Sequence, residues 1–216
     1  MASPPIPPQA VHGVDIDEDV VMLDIARDAY ICVPGAGAAF RDMMRGDETP
    51  DASALRTGLE AASLCLVPSS NAWVAALPQA TMLSDRYSEA LRGRDFMNLA
   101  GAWMDLIVRY NGREFAAVLS AVKRHRQSHL PEAVGPELRR LCQVFQTAVI
   151  WLPASGKCLV RSFLLLRFLQ RSGHEALWVF GVRIWPFAAH CWLQVGDVAL
   201  DDFPERVSAY TPIYAI

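Results

Sequence analysis

Cys158 and His190 are the residues of this chain whose types and spacing suit covalent chemistry. Cys158 stands in Ser155-Gly156-Lys157-Cys158-Leu159-Val160-Arg161, at the head of an apolar stretch that reads as a buried helix. His190 follows 32 residues later in the aromatic-rich run Ala189-His190-Cys191-Trp192, which reads as a strand. A thiolate attacks carbonyl carbon, and an imidazole within reach can take the thiol proton and return it to a leaving amine. The pair therefore points to making or breaking acyl bonds. A cysteine in the first turn of a helix meets free backbone N–H groups and the positive end of the dipole. Both lower its pKa, and the same N–H groups can serve an oxyanion. Lys157 adds a neighbouring cation. Taken alone, Cys158 reads equally well as a buried structural thiol; His190 is what favours catalysis.

On a strand, His190, Trp192 and Gln194 share one face, and Cys191, Leu193 and Val195 take the other. The second set is apolar and belongs in the core. Cys191 is therefore expected to point away from the site, which argues against a zinc centre built from His190 and Cys191. No metal site is expected, and no bound cofactor is evident. A third group should accept the imidazole's other N–H. Asp201 and Asp202 lie on the next strand. A two-residue turn at Gly196-Asp197 would pair Val195 with Val198 and put Asp201 on the face of His190; a longer loop or a bulge would select Asp202. Parity alone prefers Asp201. The segment before Cys158 is no phosphate-binding loop, because Trp151 stands where glycine is needed and Cys158 where Ser or Thr is needed.

The elements that must position these residues are legible in outline. Around Val11 to Asp15, Val20 to Ile25 and Ala29 to Val33, acidic turns separate three short antiparallel strands. Pro34-Gly35 breaks the sheet. Ala36 to Arg45 reads as a helix with Phe40, Met43 and Met44 on one side and Gly46 as its stop. Asp51 can cap a second helix carrying Leu55, Leu59, Ala62 and Leu66, ended by Pro68-Ser69-Ser70-Asn71. Residues 72–94 hold few signals beyond the breakers Pro78 and Gly93. From Asp95 to about His125 the pattern is helical, interrupted at Asn111-Gly112. Its stripes are Ala102, Leu106 and Val108, then Phe115, Val118, Leu119 and Val122. The basic run Lys123-Arg124-His125-Arg126 reads as a solvated helix end. Pro136 opens a helix through Leu141, Val144, Phe145 and Val149. Ser155 is the expected N-cap of the helix that runs from Cys158 to Arg171 and stops at Ser172-Gly173. Apolar nearly all round, it should be central in its domain. Strands follow at Glu175 to Val182, Ala188 to Val195 and Val198 to Asp202. The fold class is α+β.

Composition bounds the function. The 216 residues are 52% hydrophobic and 20% charged, enough for a sizeable core. A net charge of −3 lacks the basic footprint of a nucleic-acid binder, a winged-helix DNA reader included. The Pro-rich start, residues 1–9, reads as a flexible tail rather than a signal peptide. No apolar run approaches the length of about 18 residues that a membrane span needs. Five cysteines at irregular spacing suit a reducing cytoplasm.

Several of these elements carry a resemblance. Leu152-Pro153, Cys158-Leu159-Val160-Arg161-Ser162, Leu169 to Gly173, Phe180-Gly181-Val182 and Ala189-His190-Cys191-Trp192-Leu193 occur in this order over residues 136–205. The second half thus resembles the leader peptidase of lasso-peptide biosynthesis, the B protein, a transglutaminase-like cysteine protease. The resemblance puts the acidic member of the triad 12 residues after the histidine, on Asp202, with Asp201 in reserve. Cys191 departs from the family's usual small residue. The first third, with Val20-Val21-Met22-Leu23-Asp24 and Tyr30-Ile31, resembles a precursor-peptide recognition element of winged-helix-like fold. Such a unit takes a leader peptide as an added strand against its third strand, here Tyr30, Ile31, Cys32 and Val33.

The implied domains are 10–70 for leader recognition, 71–94 as linker and 95–216 as a papain/transglutaminase-like domain with a central helix on an antiparallel sheet. The implied function is cleavage of leader from core in a precursor peptide, ATP-dependent and in partnership with a macrolactam synthetase. A transglutaminase-type acyl transferase and a non-catalytic leader-binding scaffold are the alternatives.

Overall fold

The computed structural model describes residues 10–66, 81–82, 91–123, 133–151 and 157–216. The Pro-rich start, the stop at Pro68 to Asn71, Arg124 to Arg126 of the basic run, Leu152-Pro153 and Ser155 lie outside the described residues.

The acidic turns do what short hairpins require. Strand β1 (Ala10–Ile16) turns through Asp17 and Glu18, both at positive φ, into β2 (Asp19–Asp24), and Asp28 at φ 50° leads into β3 (Ala29–Val33). Helix α1 (Gly37–Arg45) ends at Gly46 in the left-handed region. Helix α2 (Pro50–Ala61) is capped by Thr49, whose side chain accepts the Ala52 N–H, and Pro50 opens the helix; Asp51, the expected cap, sits in the first turn. Leu66 leaves the helix and joins β4 (Cys65–Leu66), parallel to β1. Among the described residues, the sheet order β3-β2-β1-β4 leaves β3 at an open edge, with one more strand than the three expected. Two residues are too few to show a period.

The second sheet has the order β5-β8-β7-β6-β9. It contains β6 (Leu177–Arg183), β7 (Ala188–Val195), β8 (Val198–Ala199) and β9 (Thr211–Ala215). Strand β5 (Thr81–Met82) pairs parallel with β8, so the stretch read as linker contributes a strand. Helix α3 (Gly93–Asp105) runs into a π-helical turn (Leu106–Tyr110), followed by α4 (Phe115–Lys123), α5 (Pro136–Ala148), a 3-10 turn (Val149–Trp151) and α6 (Cys158–Arg171). The π turn shifts the helical phase: Ala102 and Leu106 are buried, but Val108 faces solvent, against the expected stripe. A short α7 (Pro204–Val207) precedes β9. Among the described residues no helix is long and apolar enough to cross a membrane.

Helix α6 is the axis of the molecule. Phe163, Leu164, Leu165, Leu166, Phe168 and Leu169 are all fully buried, as an all-round apolar helix must be. Its far end is tied to α3 by Asp105, which bonds Arg167 at 2.9 Å and Arg171 at 3.0 Å. Strand β2 is apolar on both faces because both are covered. Val20 and Met22 pack under α1 and α2 with Phe40 and Leu59, while Val21, Leu23 and Ile25 join the main core around α6. Where β1 meets β9, the ring of His12 lies 4.4 Å from that of Tyr214.

Candidate active site

Cys158 is the first residue of α6, and Lys157, extended at φ −101° and ψ 131°, takes the N-cap position expected of Ser155. The Lys157 side chain makes no capping bond, and the first turn of a helix favours an anion. A pocket of about 670 Å³ opens over the thiol, lined in part by Lys157, Arg161, His190, Asp202 and Phe203.

The register of β7 decides what meets the thiol. Helix α6 packs along the Cys191, Leu193 and Val195 face, and those three residues are buried in the main core. Of β7, only Gln194 and Val195 pair with β8, so among the described residues β7 has an open edge beside His190 and Cys191. The thiol answers to both faces of the strand: Cys191 and then His190 act on its titration, and all three residues line the one pocket. Cys191 therefore does not point away, as alternation had suggested. It faces the core, and the start of α6 is part of that core.

His190 Nε2 bonds Asp202 Oδ2, and the ring lines the same pocket as the thiol. The ring is largely buried between Trp192, at 6.2 Å, and Tyr210, at 5.2 Å. Asp202 is fixed by the Phe203 N–H at 2.8 Å. Asp201, the choice of simple parity, turns instead to Arg161, which it holds through Nη2 at 2.8 Å and Nε at 2.5 Å. The expected turn is present, with Val195 opposite Val198, but β8 ends at Ala199 and the chain bends through Leu200 to Asp202. Alternation no longer applies there.

The charges reinforce one another. Hydrogen bonds from Cys191 and then from His190 outweigh burial and hold the Cys158 thiol far below its ordinary value. Burial works against a charged His190, yet the bonds to Asp202 and Cys158 raise it to about 9. Asp202 lies below the carboxylate range, because the His190 bond overcomes its burial. Both shifts favour a thiolate–imidazolium pair. Cys142, by contrast, is raised by burial in the core and reads as structural.

Tyr30, Ile31, Cys32 and Val33 occupy the open edge strand β3. Tyr30 packs toward the main core and Ile31 and Val33 toward the α1–α2 side. Tyr30, Ile31 and Cys32 border a small apolar groove of about 200 Å³ completed by Ile184, Trp185 and Phe187 from the β6–β7 hairpin. Trp185 Nε1 donates to Asp19 Oδ2 at 3.3 Å, fastening that hairpin to the first sheet. Burial, then the nearby Cys191, Asp28 and Cys158, raises the Tyr30 hydroxyl, so the edge strand and the thiol are electrostatic neighbours.

Sequence reasoning missed Ser162, Trp178 and Tyr210. Ser162 lies one turn after Cys158, at the i+4 spacing that could have revealed it; nothing in the sequence marks Tyr210. Ser162 Oγ donates to the Cys158 carbonyl at 2.8 Å, accepts from Trp178 Nε1 at 2.9 Å and stands 3.3 Å from Cys191 Sγ.

The chain matches the family model described as the transglutaminase-like superfamily over residues 102–215, a span that contains Cys158, His190 and Asp202. It is similar to the microcin J25-processing protein McjB of Escherichia coli, with 26% identity over 195 residues, covering 87% of this chain and 89% of that protein. No solved structure matches it.

Proposed function

We propose that this chain, which belongs to the transglutaminase-like superfamily, is a cysteine peptidase that releases the leader from the core of a lasso-peptide precursor. The observation that carries the reading is the contact set of Cys158, His190 and Asp202 at the start of a buried helix. Likeness to a microcin-processing protein along most of both chains supports a role in lasso-peptide processing.

In this reading the leader adds as a strand to the open edge of β3, along Tyr30, Ile31, Cys32 and Val33, and main-chain hydrogen bonds supply its affinity. The Cys158 thiolate attacks the carbonyl of the last leader residue. The oxyanion forms against the first N–H groups of α6. Imidazolium His190, oriented by Asp202, protonates the amine of the first core residue as the C–N bond breaks. Water enters the pocket, His190 takes its proton, and the thioester opens to a leader carboxylate and a free thiolate. The core amine is then free for ring closure by a partner macrolactam synthetase, and the cleavage itself is ATP-dependent in this reading. Five free cysteines suit work in the cytoplasm.

Mass spectrometry of a candidate precursor incubated with this protein, the synthetase and ATP tests the reading. Wild type should release the leader and Cys158→Ala should not. Equal cleavage by both would remove Cys158 as nucleophile. Tight leader binding with no cleavage by wild type would leave a binding scaffold.

A further inference from the structure

The peptidase reading gives Cys191 no step of its own, yet it lines the same pocket as the nucleophile. Cys158, first residue of α6, and Cys191, on the β7 face against that helix, line the same pocket, and each thiol shifts the titration of the other. Their juxtaposition is built into the scaffold. Ser162 donates to the Cys158 carbonyl at 2.8 Å, stands 3.3 Å from Cys191 Sγ, and is itself held by Trp178 at 2.9 Å. One buried hydroxyl thus ties the backbone of the first cysteine to the sulfur of the second. The remaining cysteines are placed otherwise: Cys142 is sealed in the core, and Cys32 and Cys65 are exposed on the first sheet. Cys158 opens to solvent while Cys191 is 5% exposed. An oxidant in solution therefore meets Cys158 first, with Cys191 waiting behind it. That is the arrangement of an attacking and a resolving thiol.

We propose that Cys158 and Cys191 form a peroxide-responsive pair that closes to an intramolecular disulfide and is reopened by thiol reductants. In the first step the Cys158 thiolate attacks one oxygen of hydrogen peroxide. An S–O bond forms, the O–O bond breaks, and the departing hydroxide takes a proton to become water. Cys158 is now a sulfenic acid. In the second step the Cys191 sulfur attacks the Cys158 sulfur. The S–S bond forms, the S–O bond breaks, and the Cys191 proton leaves with the hydroxyl group as a second water. Two thiols have been oxidised and one peroxide reduced to two waters. Dithiothreitol, or a cellular dithiol, returns the pair by two thiol–disulfide exchanges. Closure removes the nucleophile reversibly and keeps Cys158 from the sulfinic and sulfonic acids, which such reductants do not reverse.

The experiment needs no peptide substrate, so its failure and that of the peptidase reading are separable. The full-length protein is treated with hydrogen peroxide in the presence and absence of dithiothreitol and followed by intact mass and non-reducing peptide mapping. Wild type should lose two hydrogens, yield one cross-linked peptide pair containing Cys158 and Cys191, and lose Cys158 labelling by iodoacetamide by at least about tenfold, restored by dithiothreitol. Cys191→Ser, nearly isosteric, should instead gain two or three oxygens on Cys158 that dithiothreitol does not remove. Its circular dichroism reports whether it folds. The double variant Cys32→Ser/Cys65→Ser keeps the pair intact and should show the same two-hydrogen mass loss and the same Cys158–Cys191 cross-link. Direct over-oxidation of Cys158 in wild type, or a cross-link through Cys32 or Cys65 in its place, would overturn the proposal.

Discussion

At the scale of single residues, the charge on Cys158 depends on a partner two bonds away. His190 stays protonated up to about 9 because Asp202 accepts from it, against a burial that favours the neutral ring. Its folded pKa lies above the unfolded value of about 6.5, so this contribution to stability is fully present below that value and is lost as pH rises through about 9. Asp202→Asn removes the acceptor charge. Turnover should fall by about 10³- to 10⁴-fold, and the alkaline limb of the pH–rate profile should move to lower pH. Asp201→Asn is the control, since it leaves His190 its partner and takes the carboxylate from Arg161 and Gln146 instead. Its loss of turnover should be much smaller. Equal losses in the two variants would sink the assignment. The two aspartates show where legibility ended. Cys158 and His190 stand out by residue type and context, and the strand and turn between them follow from alternation. The choice of acid rests on where β8 stops, which depends on tertiary pairing and not on local pattern. The family spacing landed on Asp202 where parity did not.

At the scale of elements, α6 holds the thiol at one end and is anchored at the other. Asp105, 4% exposed, bonds Arg167 and Arg171 from the last residue of α3, and Arg167 is 3% exposed. Asp105→Ala would leave the buried guanidinium without its counter-charge, at a cost of about 3–5 kcal/mol. A urea titration should show the midpoint falling sharply. A shift near zero would mean that Arg167 finds compensation in Gln170, whose side-chain oxygen already accepts from it at 2.6 Å. The helix itself was plain in the sequence, as were the hairpins of the first sheet, because long periodic runs and acidic turns carry local information. Less was legible where the chain departs from regular periods. The π turn at Leu106–Tyr110 put Val108 into solvent, and the two-residue strand Thr81–Met82 has no signal of its own. The anchoring pair was hidden too, since no rule of spacing links Asp105 to a helix 62 residues away.

At the scale of the whole molecule, the division into a recognition unit and a peptidase unit meets a continuous core. Val21 and Leu23 of β2, with Ile25 just after it, belong to the same apolar cluster as Phe163 and Phe168 of α6. No pattern within residues 10–66 could reveal this, because a strand covered on both faces does not say what covers it. The seam runs through His12, 2% exposed on β1 and in ring contact with Tyr214 on β9. Burial, with Lys123 adding to it, lowers the His12 pKa to about 4. The folded state thus resists a proton that the unfolded chain accepts at about 6.5. The sign is opposite to that of His190: the contribution is present above about 6.5 and is lost as pH falls toward about 4, amounting to about 3 kcal/mol at most. Wild type should therefore lose stability to urea steadily from pH 6.5 to 4, in one transition seen alike by tryptophan fluorescence and circular dichroism. His12→Phe keeps a ring against Tyr214 and removes the titration, so it should show a flatter dependence over that window. If the slope were unchanged, the seam would not be where acid acts. If the two probes reported separate transitions, the halves would fold independently despite their common core, and the edge strand β3 could hold a leader while the site beside it was already open.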